Sequence, residues 1–371
     1  MSSQGFLPFG LSAVSVYRPP WGLDNRWFGP AMPRKFVHHT GIERRCVAWE
    51  DEVTLAVRAV RQLQQQVGCD LKECAALVFV SPSFVPLPLA RRYLGPQAAE
   101  QERLQSAARQ LARRLGMAPA AVVGLNWFCS GYSRAMEVVG RRILPRIDLA
   151  ERQFILVATA SRISRITDYG CPQTAGLFGD LATATLLTRP DEARYPPHFE
   201  VLYAAAQTSP AEGVYFDFKH REDVPRPEIE GGVATDPQRL VYWLDGMAIA
   251  DAAPRAMAQA VAEALAATGL AASDIRTVIP HQAGTGIVKL TEMKLQALGL
   301  ETEVLNGLTR EVGNVSSCSI PFALEQRWNQ LRGTIVCPTA AVGRPGRSEL
   351  LRGCLVLKAT PLHERQSQAA A

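Results

Sequence analysis

The chain has few lysines, no long apolar run and no paired metal-ligand spacing, and each lack excludes a class of protein. Only six of its 40 basic residues are lysine, and the net charge of +5 is mild. Because no arginine-rich run or basic–aromatic alternation occurs, we expect no nucleic-acid binding. No apolar run is long enough to span a membrane, and the first residues lack a secretory signal pattern, so we expect no membrane association.

The eight cysteines are scattered along the chain. Cys69 and Cys74 are close, but no second pair with histidine follows, so we predict no metal site. Reduced thiols are typical of the cytoplasm, where we place this chain. A length of 371 residues with 47% apolar and 20% charged residues is typical of a globular protein with one large core or two fused ones.

Short apolar runs alternate with helical patterns, which predicts an α/β protein with sheets buried on both faces. Helices are predicted at 52–67 and 246–268, each ended by a glycine. A Pro-rich loop is predicted at 82–97, before a helix at 98–115. The predicted strands are 11–16, 75–80, 121–125, 154–158, 275–279, 304–306, 334–337 and 355–357.

The order of these elements repeats at an offset of roughly 180 to 200 residues, which indicates an internal duplication. We therefore expect two halves, residues 1–190 and 191–371, packed face to face. The repeat places Cys129 and Asn314 at equivalent strand-to-helix turns, and His281 at the end of a strand. These three polar groups are expected to converge where the halves meet.

Cys129 precedes a predicted helix, so unpaired backbone N–H groups and the helix dipole are expected to favour its thiolate. Alone, each of the three residues has a structural explanation: a core cysteine, a satisfied histidine, or a helix N-cap asparagine. Together they suit acyl chemistry. A thiolate takes an acyl group from a thioester, and neutral His281 and Asn314 donate to an enolate oxygen.

Five motifs, in order, resemble those of the thiolase superfamily, and within it the β-ketoacyl-ACP synthase III family. They are TGIERR at 40–45, CSG at 129–131, LFGD at 177–180, PHQA at 280–283 and GNVS at 313–316, the last followed by SIP at 319–321. The resemblance implies a duplicated five-layer αβαβα thiolase-like fold, a homodimer, and a Cys129–His281–Asn314 site. It implies acyl transfer to Cys129 from a coenzyme A (CoA) or acyl carrier protein (ACP) thioester, then decarboxylative Claisen condensation with a malonyl thioester, without a cofactor.

The oxyanion of the first step needs two backbone N–H donors, for which we predict Cys129 and Gly343, in the loop after the predicted strand 334–337. Members of the family dock an acidic carrier protein near the helix that follows His281. Lys289 and Lys294 lie on that helix and are candidates for this docking, although they could also be simple solvated lysines.

The chain also departs from the family pattern. Gly284 and Gly286 stand where the family has an asparagine and an arginine that helps to hold CoA or carrier protein, and Tyr169 replaces an arginine of the CoA clamp. Bulky Trp127 and Phe128 replace small residues before the cysteine. These changes put CoA in doubt as the donor.

The apolar segment 82–97 could line the acyl pocket or cross a dimer interface. Its Arg91 and Arg92 could pair with an acidic acyl tail, but we expect them to be simply exposed. Two other functions remain open. The acyl group could pass to a hydroxyl or amine acceptor, or the chain could be a non-catalytic partner subunit. The second is disfavoured because no catalytic residue is lost.

Overall fold

The structure is a computed structural model that describes residues 6–192, 194–221, 227–229, 232–233 and 240–360. The first part of the chain forms β1 (Phe9–Tyr17), β2 (Trp21–Asp24), α1 (Phe36–Thr40), β3 (Arg44–Val47), α2 (Glu52–Val67), β4 (Cys74–Val80), α3 (Leu87–Gln101), α4 (Leu104–Arg114), β5 (Ala121–Leu125), α5 (Gly131–Val138), β6 (Phe154–Ser161), α6 (Pro172–Ala175) and β7 (Leu181–Thr188).

The second part forms β8 (Phe199–Pro210), β9 (Phe216–His220), β10 (Glu228–Ile229), β11 (Gly232–Val233), β12 (Leu240–Leu244), α7 (Gly246–Thr268), β13 (Ile275–Val278), α8 (Thr285–Gln296), β14 (Glu303–Val304), α9 (Ser319–Arg327), β15 (Thr334–Val342) and β16 (Glu349–Ala359). Within the described part of the chain, no helix is both long and apolar enough to cross a bilayer.

The main sheet has ten strands in the order β14-β13-β15-β16-β8-β1-β7-β6-β4-β5. It consists of two five-stranded halves with the same pattern. In each half three neighbouring strands are parallel to one another, and each of the next two is antiparallel to the strand before it. The halves join where β1 pairs with β8, from Phe9↔Val201 to Leu11↔Phe199. The strand order therefore shows the duplication, while the boundary at residue 190 stays a prediction.

Helices cover each half of the sheet on both faces. Helices α2 and α4 pack on the outer face of the first half, and α7 and α8 on that of the second. Helices α5 and α9 lie between the halves, where Met136 and Ile320 share one apolar cluster with Val78 and Ile335. The layers therefore run αβαβα, and the predicted fold class is confirmed.

The two helices predicted from their caps begin and end where expected. The Asp51 carboxylate accepts from the Thr54 N–H at the start of α2, and Gly68 ends it in the left-handed conformation, with φ of 67°. Asp245 accepts from the N–H groups of Met247 and Ala248 at the start of α7. These caps satisfy backbone donors that a helix leaves unpaired.

Two predictions of local structure were wrong. Most of the segment 82–97 is helical, because α3 spans Leu87–Gln101 and continues through a break at Gly95, where φ is 83°. Its Leu89, Ala90 and Leu94 pack with residues of the β9–β12 hairpin, so they are covered within the chain. The helix expected to open at Gly313–Asn314 begins instead at Ser319, after a 3₁₀ turn.

Strand β5 lies at one end of the sheet and pairs with β4. The Gln105 side chain covers the opposite side of β5. Its Nε2 donates to the Val122 carbonyl at 2.8 Å, and its Oε1 accepts from the Gly124 N–H at 2.9 Å. Two backbone groups of the edge are thus paired within the chain, which protects the strand from adding to another sheet.

Candidate active site

Cys129, His281 and Asn314 line one cavity of about 430 Å³. Each follows a strand of the sheet: β5 for the cysteine, β13 for the histidine and β14 for the asparagine. The two halves therefore each bring side chains to this cavity, as the duplication led us to expect. Most of the remaining lining is apolar, including Ile163, Phe216 and Val342.

The turn that carries Cys129 is fixed by hydrogen bonds on both sides. Asn126 accepts from the Phe128 N–H at 3.2 Å and donates to the Phe84 carbonyl at 3.2 Å. Phe128 has a left-handed backbone conformation, with φ of 42°, which is uncommon outside glycine. On the other side, the Thr339 hydroxyl donates to that of Ser130 at 3.0 Å. Sγ of Cys129 is thus presented between β5 and α5.

The expected thiolate of Cys129 is not supported. Burial raises the pKa of the Cys129 thiol to about 11, and hydrogen bonds from the Ser316 side chain and from backbone only partly offset it. The Ser316 hydroxyl donates to Sγ at 3.5 Å. A helix dipole contributes about 0.3–1 kcal/mol, less than one pKa unit, which is too little to cancel the burial. In this structure the neutral thiol is the stable form.

His281 is held by its backbone, whose N–H donates to the Pro338 carbonyl at 2.9 Å. Its side chain is buried, and Nδ1 has no hydrogen-bond partner among the described residues. Burial lowers the pKa of His281 to about 3, because an imidazolium in an apolar environment loses its hydration. The imidazole is therefore neutral near pH 7, as the expected uncharged donor would have to be.

Asn314 is fixed by the LFGD motif. Its N–H donates to the Leu177 carbonyl at 2.8 Å, and its carbonyl accepts from the Gly179 N–H at 3.0 Å. Its Oδ1 accepts from the Ser316 N–H at 2.9 Å. Because the amide oxygen is engaged there, the amide NH₂ is the group that remains for the cavity. Asp180 anchors the same motif by accepting from the Ala48 N–H at 2.8 Å.

The prediction of Gly343 as an oxyanion donor was wrong. Its N–H donates to the Glu349 carbonyl at 3.0 Å, and the residue does not line the Cys129 cavity. Hydrogen bonds alternate along an antiparallel pair, so the N–H groups of Ala340 and Val342 face away from β16. Both residues line the cavity, and they replace Gly343 as candidate donors beside the N–H of Cys129.

The mouth of the cavity differs from the family pattern in its packing. A Cβ atom at Gly286 would lie 2.6 Å from the His39 carbonyl oxygen, and one at Gly284 would lie 3.3 Å from the Thr40 carbonyl oxygen. These two glycines therefore allow α1 to lie against the start of α8. Tyr169, which stands where the family has the clamp arginine, is buried, with its ring 5.8 Å from that of Trp27.

The two predicted docking lysines are both exposed on α8. The pKa of Asp251 is lowered mainly by its hydrogen bond from Arg255 and to a smaller extent by the charge of Lys294. Lys294 therefore lies near an acidic group, whereas Lys289 follows the apolar cavity-lining residue Ile287 by two positions. Arg91 and Arg92 are exposed, as expected.

Several residues of the site were missed. Ser316 belongs to the GNVS motif, but its contact with Sγ of Cys129 depends on its left-handed backbone, with φ of 50°. Phe216 and Tyr242 reach the cavity from the β9–β12 hairpin. Nothing in their spacing along the sequence indicates the cavity, because the hairpin packs there through contacts distant in sequence.

Two family models match the chain. The model described as 3-oxoacyl-[acyl-carrier-protein (ACP)] synthase III matches residues 124–203, and the model of its C-terminal part matches residues 265–341. The curated β-ketoacyl-[acyl-carrier-protein] synthase III of Rhodobacter capsulatus is 27% identical over 310 residues, which are 82% of this chain and 85% of the relative.

Solved structures show the same fold. The 3-oxoacyl-[acyl-carrier-protein] synthase III of Aquifex aeolicus VF5 has a TM-score of 0.69 at 20% identity, with 94% of this chain and 99% of that chain covered. The enzyme of the same description from Pseudomonas aeruginosa PAO1 has a TM-score of 0.67 at 23% identity, with 96% and 100% covered. The chain therefore has the thiolase-like fold of these neighbours, and the two model matches and the curated relative make it similar to β-ketoacyl-acyl-carrier-protein synthase III over most of its length.

Proposed function

We propose that this chain moves an acyl group from a thioester donor to Cys129 and then condenses it with a malonyl thioester. The observation that carries the proposal is the shared cavity, which a thiol, a neutral imidazole and an oriented amide all line. We assign the roles of nucleophile to Cys129 and of enolate donors to His281 and Asn314.

In the first step, Sγ of Cys129 attacks the carbonyl carbon of the donor thioester. A new C–S bond forms to the cysteine, the C–S bond to the donor breaks, and the thiol proton ends on the departing donor thiol. The Ser316 hydroxyl, which already donates to Sγ, stabilises negative charge as it develops on the sulfur. The N–H of Cys129, with that of Ala340 or Val342, binds the oxyanion.

In the second step, the malonyl carboxylate leaves as carbon dioxide, and the electron pair of the broken C–C bond forms a thioester enolate. His281 and Asn314 donate hydrogen bonds to the enolate oxygen. The apolar lining favours decarboxylation. A carboxylate loses more hydration free energy on leaving water than uncharged carbon dioxide does, so burial destabilises the reactant more than the product. The enolate carbon then attacks the acyl carbon, the C–S bond to Cys129 breaks, and the released thiolate takes a proton from solvent.

We propose a carrier protein, rather than free CoA, as the favoured donor. Gly286 stands where the family has an arginine that helps to hold CoA or carrier protein, and Tyr169 replaces the arginine of the CoA clamp. Backbone of α1 lies directly beside Gly284 and Gly286. Exposed Lys289 lies at the mouth, next to the cavity-lining Leu290, and suits an acidic carrier-protein helix. A homodimer is also proposed; sedimentation equilibrium tests it directly. Whether the product enters fatty acid or polyketide synthesis depends on the acyl chain.

The test follows the mass of the protein and the release of carbon dioxide, with acyl and malonyl groups on both CoA and ACP. Wild type should gain one acyl mass and release carbon dioxide, and Cys129→Ser should gain none. Asn314→Ala should still load the acyl group but lose about 10²–10³-fold in decarboxylation, as for removal of one oxyanion donor. Asn329→Ala, on an exposed turn, is the matched control.

The alternative acceptor remains a distinct outcome of this experiment, and the missing arginine at Gly286 is the observation that favours it. Release of the acyl group from Cys129 to a hydroxyl or amine, without carbon dioxide, would replace condensation by simple acyl transfer. No loading of Cys129 from any donor would leave only the non-catalytic subunit.

A further inference from the structure

A second cavity, of about 880 Å³, adjoins the Cys129 cavity. Phe128, the residue directly before the nucleophile, lines both cavities. The two cavities also meet at the end of β15, where Val342 lines the first cavity and the next residue, Gly343, lines the second. The wall between the two cavities is therefore about one residue thick at Phe128.

The Phe128 ring is held in this wall by specific contacts. Its centroid lies 5.1 Å from that of Phe216, in an edge-to-face arrangement, on the side of the Cys129 cavity. Its backbone keeps its left-handed conformation while the N–H donates to Asn126. Conformations of this kind persist where the surrounding structure holds them, and they cluster at ligand sites.

Both apolar and polar residues line the second cavity. Its apolar lining includes Phe84, Val85, Leu87, Leu104, Trp127 and Leu351. Its polar lining includes Glu102, Gln105 and Arg109, and two paired arginines, Arg344 with Glu349 at 2.8 Å and Arg103 with Glu100 at 2.5 Å. An unbranched hydrocarbon chain can lie against the apolar residues, because it needs no polar partner.

We propose that Phe128 sets the length of the acyl group that Cys129 carries. With the ring in place, the acyl chain is confined to the Cys129 cavity. Without it, the two cavities join, and the distal methylenes of a long acyl chain enter the second cavity. This inference rests on the proposed acyl transfer to Cys129, and it names unsubstituted alkyl chains as the class of acyl group.

The test measures the rate of acyl loading on Cys129, by intact-protein mass, for butanoyl, hexanoyl, decanoyl and hexadecanoyl donors. In wild type, loading should fall between the hexanoyl and hexadecanoyl donors. In Phe128→Ala, the ratio of hexadecanoyl to hexanoyl loading should rise at least tenfold, roughly what an apolar pocket gives for a single methylene. If the alanine variant does not load butanoyl, Phe128→Leu is measured in its place. Its ratio of hexadecanoyl to hexanoyl loading should then rise by a smaller factor.

Two control variants test whether the long acyl chain enters the second cavity or only a first cavity that has become larger. Ile163→Ala enlarges only the first cavity and keeps the Phe216 ring against Phe128, so it should extend the longest acyl group loaded by a few carbons and not admit hexadecanoyl. Ser106→Trp fills the second cavity from α4. Alone it should leave butanoyl and hexanoyl loading unchanged, and combined with Phe128→Ala it should abolish the gain for hexadecanoyl.

The outcomes distinguish this inference from the proposed function. If no donor loads wild-type Cys129, the acyl transfer itself is wrong. If butanoyl loads and neither Phe128 variant changes the length limit, or if Ser106→Trp leaves the gain intact, Phe128 is not the gate. Efficient hexadecanoyl loading by wild type would also overturn it, since the ring would then be no barrier.

Discussion

Cys129 and His281 share an apolar cavity, which moves their pKa values in opposite directions. Burial raises the pKa of Cys129 to about 11 and lowers that of His281 to about 3. Both changes have one cause, the loss of hydration of the charged form. The stable pair near pH 7 is therefore a thiol and a neutral imidazole, not a thiolate and an imidazolium.

The raised pKa of Cys129 predicts how its alkylation depends on pH. The thiolate is the nucleophile, so the iodoacetamide rate should rise about tenfold per pH unit from pH 7 to pH 9, without levelling off. Mass spectrometry of the peptide that contains Cys129 measures this rate, and Cys171, which like Cys129 is partly exposed, serves as the comparison. A plateau for Cys129 near pH 7 would show a stabilised thiolate and contradict the prediction.

The lowered pKa of His281 predicts a loss of stability in acid. Its ordinary pKa is about 6.5, so between pH 6.5 and pH 3 the unfolded state binds more protons and stability falls as pH falls. At pH 5 this single group should cost about 2 kcal/mol relative to pH 7.

Urea unfolding at both pH values, in wild type and in His281→Gln, measures this term. The variant should lose less stability than wild type between pH 7 and pH 5, because glutamine does not titrate. Equal losses in the two proteins would mean that His281 takes up a proton as easily in the fold as in the unfolded chain.

The sequence was sufficient to predict that Cys129, His281 and Asn314 meet at one cavity, because their motifs occur in order and the duplication places Cys129 and Asn314 at equivalent turns. It could not predict the oxyanion donors. Which N–H groups face the cavity depends on the pairing register of β15 with β16, and that register makes Gly343 a partner of Glu349. The pKa of Cys129 likewise depends on how deeply the turn is buried.

At the scale of elements, β5 has one side paired with β4 and the other covered by Gln105. Gln105→Ala should remove both hydrogen bonds and lower the free energy of unfolding by about 1 kcal/mol. It should also raise the tendency to self-associate, because Val122 and Gly124 regain free backbone groups.

Thermal unfolding and concentration-dependent light scattering measure the two effects of Gln105→Ala. Gln110→Ala, on an exposed position of the same helix, is the control and should change neither. An unchanged melting temperature for Gln105→Ala would mean that water replaces the glutamine amide at no cost.

Elements with clear caps were predicted to within a residue, as for α2 and α7. Helix α3 was missed because its prolines and Gly95 indicate a loop. Pro88 lies in the first turn, where a helix tolerates it, and Gly95 allows the break before Pro96. The β9–β12 hairpin was missed because its strands are separated by a long connection, so its pairing has no local signal.

At the scale of the whole molecule, the halves are interlocked rather than merely in contact. Helix α5 follows β5 of the first half but packs against β8 of the second, and α9 of the second half packs against β1. Pairing of β1 with β8 also joins the sheets. We therefore expect the described parts of both halves to unfold together.

Met136→Ala in α5 tests this coupling. Met136 is fully buried in the cluster shared by both halves, so its truncation should cost about 2–5 kcal/mol. Native-state hydrogen exchange should then accelerate in β8 and β16 as well as in β4. Faster exchange in β4 alone would show that the halves open independently. If both halves unfold together, Leu63→Ala in the outer layer on α2 should also accelerate exchange in both halves.

The contact of α1 with the start of α8 limits which residue can stand at position 286. At Gly286 even a methyl group would collide with the main-chain oxygen of His39. The present backbone therefore leaves no room there for a long cationic side chain. An arginine at position 286 thus requires the whole segment Phe36–Thr40 to shift first. The path of the backbone therefore decides which residue position 286 tolerates, and no single substitution there can restore the family's arginine without that shift.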